Sequence, residues 1–220
     1  MFVGHYAVSF WAKRRDRSIP LWVLFIAVQF VDVLWGIFVL TGVEHFRLVP
    51  RITEASPLDL YDMPYTHSLI AVLGWSLVVY GLYRRLGPGD RNSWRPAALV
   101  AFAVFSHWLL DLLVHRPDLP LWDDTIKVGL GLWYHAKVTF IVEVGALGVT
   151  MYLWYRAIRG SVPGWRLLVL FGILAASQAY SNFGPVAKST TQFAAMCLGF
   201  YFGFALLSHW CDAPRVRATS

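Results

Sequence analysis

Six stretches of the chain are apolar over about 20 residues, the length that an α-helix needs to cross the hydrocarbon core of a bilayer. Hydrophobic residues make up 57% of the chain, charged residues 15%, and the mean hydropathy is +0.52. A water-soluble domain has about 25% charged residues. The sequence therefore predicts one all-α, polytopic membrane domain over residues 1–220, with about six transmembrane helices. The predicted spans are 19–41, 64–83, 96–115, 136–155, 164–183 and 190–210.

Basic residues cluster before the first predicted span and after the second, fourth and sixth. Because Lys and Arg are enriched in cytoplasmic loops, this pattern predicts that both termini are cytoplasmic. The net charge of +6 is then explained by the orientation of the chain in the membrane. We therefore expect no nucleic-acid partner. The clustered residues are Lys13, Arg14, Arg15, Arg17, Arg84, Arg85, Arg91, Arg95, Arg156, Arg159, Arg166, Arg215 and Arg217.

Residues 1–12 precede the first basic cluster and are too short to span a bilayer. A signal peptide has its basic residues before its apolar region and ends at a small-residue cleavage site. The chain has neither feature here. We therefore expect Met1–Ala12 to form a half-helix that dips into the bilayer from the cytoplasmic face or lies along it.

Three of the first four predicted spans each contain one acidic residue, and two of these four contain a histidine. The acids are Asp32, Asp111 and Glu143, and the histidines are His67 and His107. A helical rise of about 1.5 Å per residue puts the three acids and His67 about 18–24 Å from the cytoplasmic ends of their helices. Four helices are therefore expected to deliver ionisable groups to one layer of the membrane.

The spacing of these residues also places several of them on shared helix faces. His107, Asp111 and His115 follow one another at intervals of four residues, so they lie one turn apart on one face. His135 and Glu143 are two turns apart at the start of the fourth span. Both patterns predict side chains that project towards a common centre.

A divalent metal ion is the simplest partner for such a cluster. An ionised carboxylate at membrane depth is unfavourable unless it is paired, and several carboxylates in one small volume repel one another. Imidazole and carboxylate ligands without thiolates suit zinc, manganese or iron. The candidate ligands are His5, Asp32, His67, His107, Asp111, His115, His135 and Glu143.

Other interpretations of single residues remain open at this point. A membrane histidine can be a hydrogen-bonded packing residue, and a lone Asp can pair with a hydroxyl or histidine of a neighbouring helix. His45 and Glu44 follow the first span, where they can simply lie at the membrane interface. Whether His45 and His135 bind metal is left open by the sequence.

Several short motifs resemble the bacterial YdjM-type family of membrane-bound metal-dependent hydrolases. The motifs are Gly4-His5, Asp32, Thr66-His67-Ser68 and the run from Ser106 to Asp111, within residues 1–145. The family is in turn similar to zinc-dependent phospholipase C and to fungal zinc single-strand nucleases. Their ligands run in the order His, Asp, His, His-x-x-x-Asp, His and a final His-x-x-x-acid. The residues that follow this order are His5, Asp32, His67, His107, Asp111 and His115.

The chain departs from the family pattern at two places. Thr139, not a histidine, stands four residues before Glu143, and His135 is a further turn away. The family's His-Arg-Gly run before Thr-His-Ser is replaced here by Met63-Pro64-Tyr65. The first departure leaves the last metal ligand pair of the family incomplete.

The resemblance implies a zinc-dependent hydrolase of the bacterial cytoplasmic membrane that cleaves a phosphoester or related bond in a lipid or lipid-linked substrate. A bound metal ion lowers the pKa of its water and holds phosphoryl oxygens. Asp32, Asp111 or Glu143 is then a candidate catalytic proton acceptor. The basic residues of the predicted outer side either receive the anionic head group or anchor the protein to lipid head groups: Arg47, Arg51, Arg116, Lys127 and Lys137.

The position of the histidines predicts that the site opens to the outer face, beneath the long loops 42–63 and 116–134. We assign the metal-site helices to residues 1–155. Residues 156–220 are expected to form two scaffold helices joined by an outer turn at 184–188. Two alternatives use the same His/Asp residues: a metal-ion or proton-coupled transporter, and a non-catalytic protein whose helices are fixed by metal.

Overall fold

The computed structural model describes residues 1–88, 93–158 and 161–212 of a mostly helical chain. Arg91, Arg159, Arg215 and Arg217, which contribute to the orientation prediction, lie outside the described residues. A 3-10 turn at Val3–His5 leads directly into the first helix. The helices are α1 (Tyr6–Arg15), α2 (Leu21–Val28), α3 (Phe30–Thr41), α4 (Leu69–Leu86), α5 (Arg95–Val114), α6 (Ala136–Ala157), α7 (Gly164–Phe183) and α8 (Thr190–Asp212).

The two long loops contain short β-hairpins, which the all-α prediction did not include. In the first, β1 (His45–Leu48) pairs antiparallel with β2 (Leu58–Asp62). In the second, β3 (Leu119–Pro120) pairs with β4 (Lys127–Val128). These hairpins satisfy backbone groups of segments that are too short and too polar to form helices. They define what we call the hairpin end of the bundle.

Four helices, α4, α5, α6 and α8, are long and apolar enough to cross a membrane, and α2 with α3 gives a fifth candidate as a bent pair. These four to five spans of the described residues are those of an integral membrane protein. Helix α7 is continuous but does not belong to this set; it carries Arg166 in its first turn and Gln178 and Asn182 in its last turns. The count of six spans stays a prediction.

The first predicted span is not one straight helix. Helices α2 and α3 meet at Gln29 with a bend of 55°. No proline or glycine stands at the bend. Instead, the Gln29 side chain donates a hydrogen bond to the carbonyl of Phe2 at 3.1 Å. The bend leaves the carbonyl of Val28 at the end of α2, where it lacks a partner within its helix.

The N-terminal segment packs inside the bundle against α2, α5 and α6. Tyr6 and Phe10 are fully buried. At the opposite end from the hairpins, Lys13 Nζ donates to the carbonyl of Ile19 at 2.8 Å and to Asp212 at 2.7 Å. These contacts tie α1 to α8 and hold the preceding turn, with His5, at the middle of the molecule.

Candidate metal centre

Asp111 is the carboxylate around which the predicted histidines assemble. Its Oδ2 atom lies 3.1 Å from His107 Nε2, 3.6 Å from His115 Nε2 and 3.8 Å from His67 Nε2. Asp111 and these three histidines are buried. The predicted shared face of α5 is therefore present, and His67 joins it from the start of α4.

Asp32 supplies a second carboxylate to the same centre. It lies in the first turn of α3, just after the bend. Its Oδ1 atom lies 3.2 Å from His67 Nε2 and 3.5 Å from His107 Nε2. Tyr201 of α8 donates its hydroxyl to the other oxygen, Oδ2, at 2.8 Å. Tyr201 thus leaves one oxygen of Asp32 for the histidines.

His5 approaches Asp111 from the other side. Its Nε2 atom lies 3.2 Å from Asp111 Oδ1, and its ring stacks on that of His107 with centroids 3.9 Å apart. The amino group of Met1 also donates to Asp111 Oδ1. Two groups of ligand atoms result, each within 4.8 Å: His5, His107 and Asp111, and Asp32, His67 and His107.

The three histidines around Asp111 Oδ2 are oriented by hydrogen bonds at their other nitrogen. His107 Nδ1 contacts the Val28 carbonyl at 2.7 Å, so the bend between α2 and α3 fixes this ring. His115 Nδ1 contacts Asp118 Oδ1 at 2.9 Å. Both partners only accept, so Nδ1 carries a proton in each ring, and in the neutral ring Nε2 is the atom left to bind a metal ion.

His67 is oriented through Thr66 and Glu44. Thr66 donates its hydroxyl to Glu44 Oε2 at 2.6 Å and therefore accepts from His67 Nδ1 at 2.8 Å. Gly42 ends α3 in the left-handed conformation, with φ of 74°, and turns the chain so that Glu44 meets Thr66. Burial raises the pKa of Glu44, and its hydrogen bonds with Thr66 oppose that shift.

The donor set fits a divalent cation. Imidazole Nε2 atoms and carboxylate oxygens face one another, and both are ligand atoms that a divalent cation between them would use. His5 Nδ1, His5 Nε2 and His107 Nε2 are buried and make no hydrogen bond, although two of these atoms lie near Asp111. Buried polar atoms without partners are rare in folded proteins. The described residues therefore include His/Asp groups that can hold metal.

Three of the predicted ligands, Glu143, His135 and His115, join neither group, although His115 Nε2 lies 3.6 Å from Asp111 Oδ2. Glu143 is buried, and its Oε2 accepts the backbone N–H groups of Phe2 at 2.8 Å and Gly4 at 3.0 Å. His135 is exposed and precedes the first residue of α6. His45, left open by the sequence, is paired with Asp62 at 2.6 Å in the first hairpin.

A cavity of about 530 Å³ leads from the cluster to the hairpin end. Asp32, His67, Asp111 and His115 line its inner part. Helices α7 and α8 and their connection at 184–187 line another part, so the predicted scaffold helices also shape the cavity. Sequence reasoning missed this role because α7 and α8 carry no acid or histidine in their apolar runs.

The predicted basic residues differ in their surroundings. Arg51 lines the cavity and is exposed, with an unusual positive φ of 65°. Arg116 is paired with Asp59 and Asp118, and Lys127 contacts Asp124 at 3.1 Å. Arg51 is thus the basic side chain that the described part of the cavity offers to an anionic ligand.

Comparisons with protein-family models, with curated proteins and with solved structures find no match to this chain.

Proposed function

We propose that the protein is a membrane-embedded, metal-dependent hydrolase that cleaves a phosphoester or related bond in a lipid or lipid-linked substrate. The observation that carries the proposal is the convergence of imidazole Nε2 atoms and two carboxylates at the inner end of a cavity. The resemblance of the short motifs to the YdjM-type family supports hydrolysis. It also favours zinc, with manganese or iron as alternatives that the same ligands accept.

The residues around the centre have separate roles in this proposal. His67 and His107 would hold the metal with Asp111, His5 would extend the set on the far side of Asp111, and His115 lies beside it with Nε2 3.6 Å from Asp111 Oδ2. A bound divalent cation would lower the pKa of a water molecule and neutralise charge on the phosphoryl oxygens. Tyr201 keeps Asp32 oriented by its hydrogen bond at 2.8 Å.

The reaction adds the oxygen of water to phosphorus and breaks the phosphorus–oxygen bond to the leaving alcohol. One proton leaves the attacking water, and one proton reaches the leaving alcohol oxygen. Asp32 lines the cavity and has intermediate burial, so it is our first choice for the carboxylate that accepts the water proton instead of binding the metal. Arg51 lines the same cavity and provides a positive charge for a phosphate-bearing head group.

The test combines metal analysis with hydrolysis. Protein purified in lipid nanodiscs is depleted with a chelator, reloaded with zinc or manganese and given a panel of phospholipids and lipid-linked phosphates. We expect hydrolysis to vanish on depletion and to return on reloading. If the metal-loaded protein hydrolyses no member of the panel but moves ions across vesicle membranes, the hydrolase proposal is wrong and the transporter is the better interpretation.

The proposed orientation has its own test. We propose that both termini are cytoplasmic in the bacterial inner membrane, so that the hairpin end faces outward and the substrate enters from the outer leaflet. A reporter protein fused after Ser220 is expected to be active only in the cytoplasm. A reporter that is active only outside the cell would show that the C-terminus is not cytoplasmic and that the proposed orientation is wrong.

A further inference from the structure

Helix α8 presents an apolar stripe to the cavity, not only to the core. Phe193, Met196, Cys197 and Phe200 line the cavity and follow the i, i+3, i+4, i+7 spacing of one helix face. Phe193, Met196 and Phe200 are only partly buried. Apolar side chains that line a cavity are typical of ligand sites, where they contact the apolar part of a ligand.

The chemistry changes along the cavity from its inner end to its rim. The inner end carries the His/Asp cluster, and the rim carries Arg51, the single Lys or Arg among the described lining residues. The connection at 184–187, Gly-Pro-Val-Ala, also lines the cavity and is apolar and largely exposed. A ligand that satisfies all these parts has a phosphate group and a hydrocarbon chain.

The size of the cavity limits how much of such a ligand it encloses. Its volume of about 530 Å³ lies within the range of about 300–1,000 Å³ that is usual for small-molecule sites. This volume suits a head group with the first part of one chain. The remainder of a longer chain would continue past the apolar rim into the hydrocarbon of the bilayer.

We propose that the α8 stripe is the binding site for the hydrocarbon chain of a phosphate-bearing amphiphile, and that Met196 and Phe200 determine which chains are accepted. This inference rests on the proposed function, because it assigns the metal centre to the head group. Trp35 and Phe2 complete the apolar wall: the Trp35 and Phe193 rings lie 6.4 Å apart, and the Phe2 and Phe200 rings 6.3 Å apart.

The test measures binding, so it does not depend on catalysis. The probes are n-alkylphosphonates with chains of one to eight carbons, which hydrolysis cannot cleave, titrated calorimetrically into zinc-loaded protein in nanodiscs. Burial of one methylene contributes about 0.8 kcal/mol, or about fourfold in affinity. We expect the affinity to rise by about this factor per carbon until the stripe is covered, and then to level off.

Two substitutions on neighbouring residues of α8 locate the effect. Met196→Trp is expected to reduce the gain per carbon by at least half, with the affinity for methylphosphonate unchanged. Ala195→Trp adds the same side chain one residue earlier, at an exposed position outside the cavity lining, and is expected to behave as the wild type. If Met196→Trp does not fold, Met196→Ala is expected to weaken octylphosphonate binding several-fold and to leave methylphosphonate binding unchanged.

The outcomes separate this inference from the proposed function. Affinity that is independent of chain length, or equal effects of the substitutions at 195 and 196, would overturn the inference even if hydrolysis is observed. A chain-length dependence that Met196→Trp reduces would support the α8 site even if no lipid is hydrolysed. In that case the hydrolase proposal alone would fail.

Discussion

Asp111 and Glu143 are both acids buried in long apolar helices, yet their surroundings are opposite in kind. Asp111 Oδ2 faces the Nε2 atoms of three histidines, at 3.1 to 3.8 Å. Glu143 faces backbone N–H groups of the N-terminal turn, which donate to it. A carboxylate that faces imidazole nitrogens belongs to a set of possible metal ligands, whereas a carboxylate that accepts two backbone N–H groups is already partly satisfied. The role of a buried acid therefore depends on its neighbours and not on its depth.

The largest effect is expected for Asp111→Asn, which keeps the shape of the side chain and removes its charge. Asp111 belongs to one group of ligand atoms, and its Oδ2 also lies 3.1 Å from His107 and 3.8 Å from His67, which belong to the other group. We expect the metal content of the purified protein to fall to background and hydrolysis to be lost. Elemental analysis beside the wild type provides the measurement, and full metal content in the variant would make Asp111 a structural residue.

Glu143→Gln is the same acid-to-amide change as Asp111→Asn, made at the acid that accepts backbone N–H groups. It replaces a charged acceptor of two N–H groups by a neutral one, so we expect a loss of about 1–2 kcal/mol in the free energy of unfolding. The metal content is expected to stay at the wild-type level, because Glu143 joins neither ligand group. Thermal unfolding and elemental analysis of one preparation test both statements. A metal content as low as in Asp111→Asn would make Glu143 the ligand that the sequence predicted.

A smaller effect is expected at Thr66, which orients a ligand without touching the metal position. Thr66→Val keeps the size of the side chain and removes the hydroxyl that links His67 to Glu44. Loss of such an orienting group typically lowers metal affinity by about 10–100-fold. Thr66→Ser retains the hydroxyl and serves as the control in a competition titration with a chromogenic chelator. Equal affinities in both variants would show that the hydroxyl does not orient His67.

The smallest effects are expected for His135→Ala and His45→Ala. His135 is exposed, and His45 lies in a hairpin with Asp62 as its partner. Exposed substitutions usually change stability by less than about 0.5 kcal/mol, so both variants are expected to keep metal content and activity. A loss of metal in His135→Ala would extend the centre towards the start of α6.

The sequence predicted the part of the centre that depends only on helix geometry. Bilayer thickness and helical rise put Asp32, His67 and Asp111 in one layer, and the four-residue spacing put His107 and Asp111 on one face. The same spacing argument placed His135 with Glu143, but it requires both residues to lie within one helix. Helix α6 begins at Ala136, and His135 has φ of −128° and ψ of 80°, so its side chain leaves that face.

The remaining features depend on contacts between distant segments. The bend at Gln29 has no proline or glycine to mark it, and it is stabilised by a hydrogen bond to Phe2. Tyr201 is one of ten tyrosines, and nothing in its neighbourhood in the sequence distinguishes it. Glu44 was visible only as an acid near the end of a span, because its partner Thr66 is 22 residues away.

The contacts of the N-terminal turn also set an order for biogenesis. Phe2 and Gly4 donate to Glu143, and Val3 donates to Gln178 at 3.1 Å. These partners follow 139 to 175 positions later in the chain. Residues 2–4 therefore leave the ribosome long before α6 and α7 exist to receive them. His5, which adjoins this turn, reaches its final place in the cluster only after most of the bundle has been inserted, so the centre is completed late in assembly.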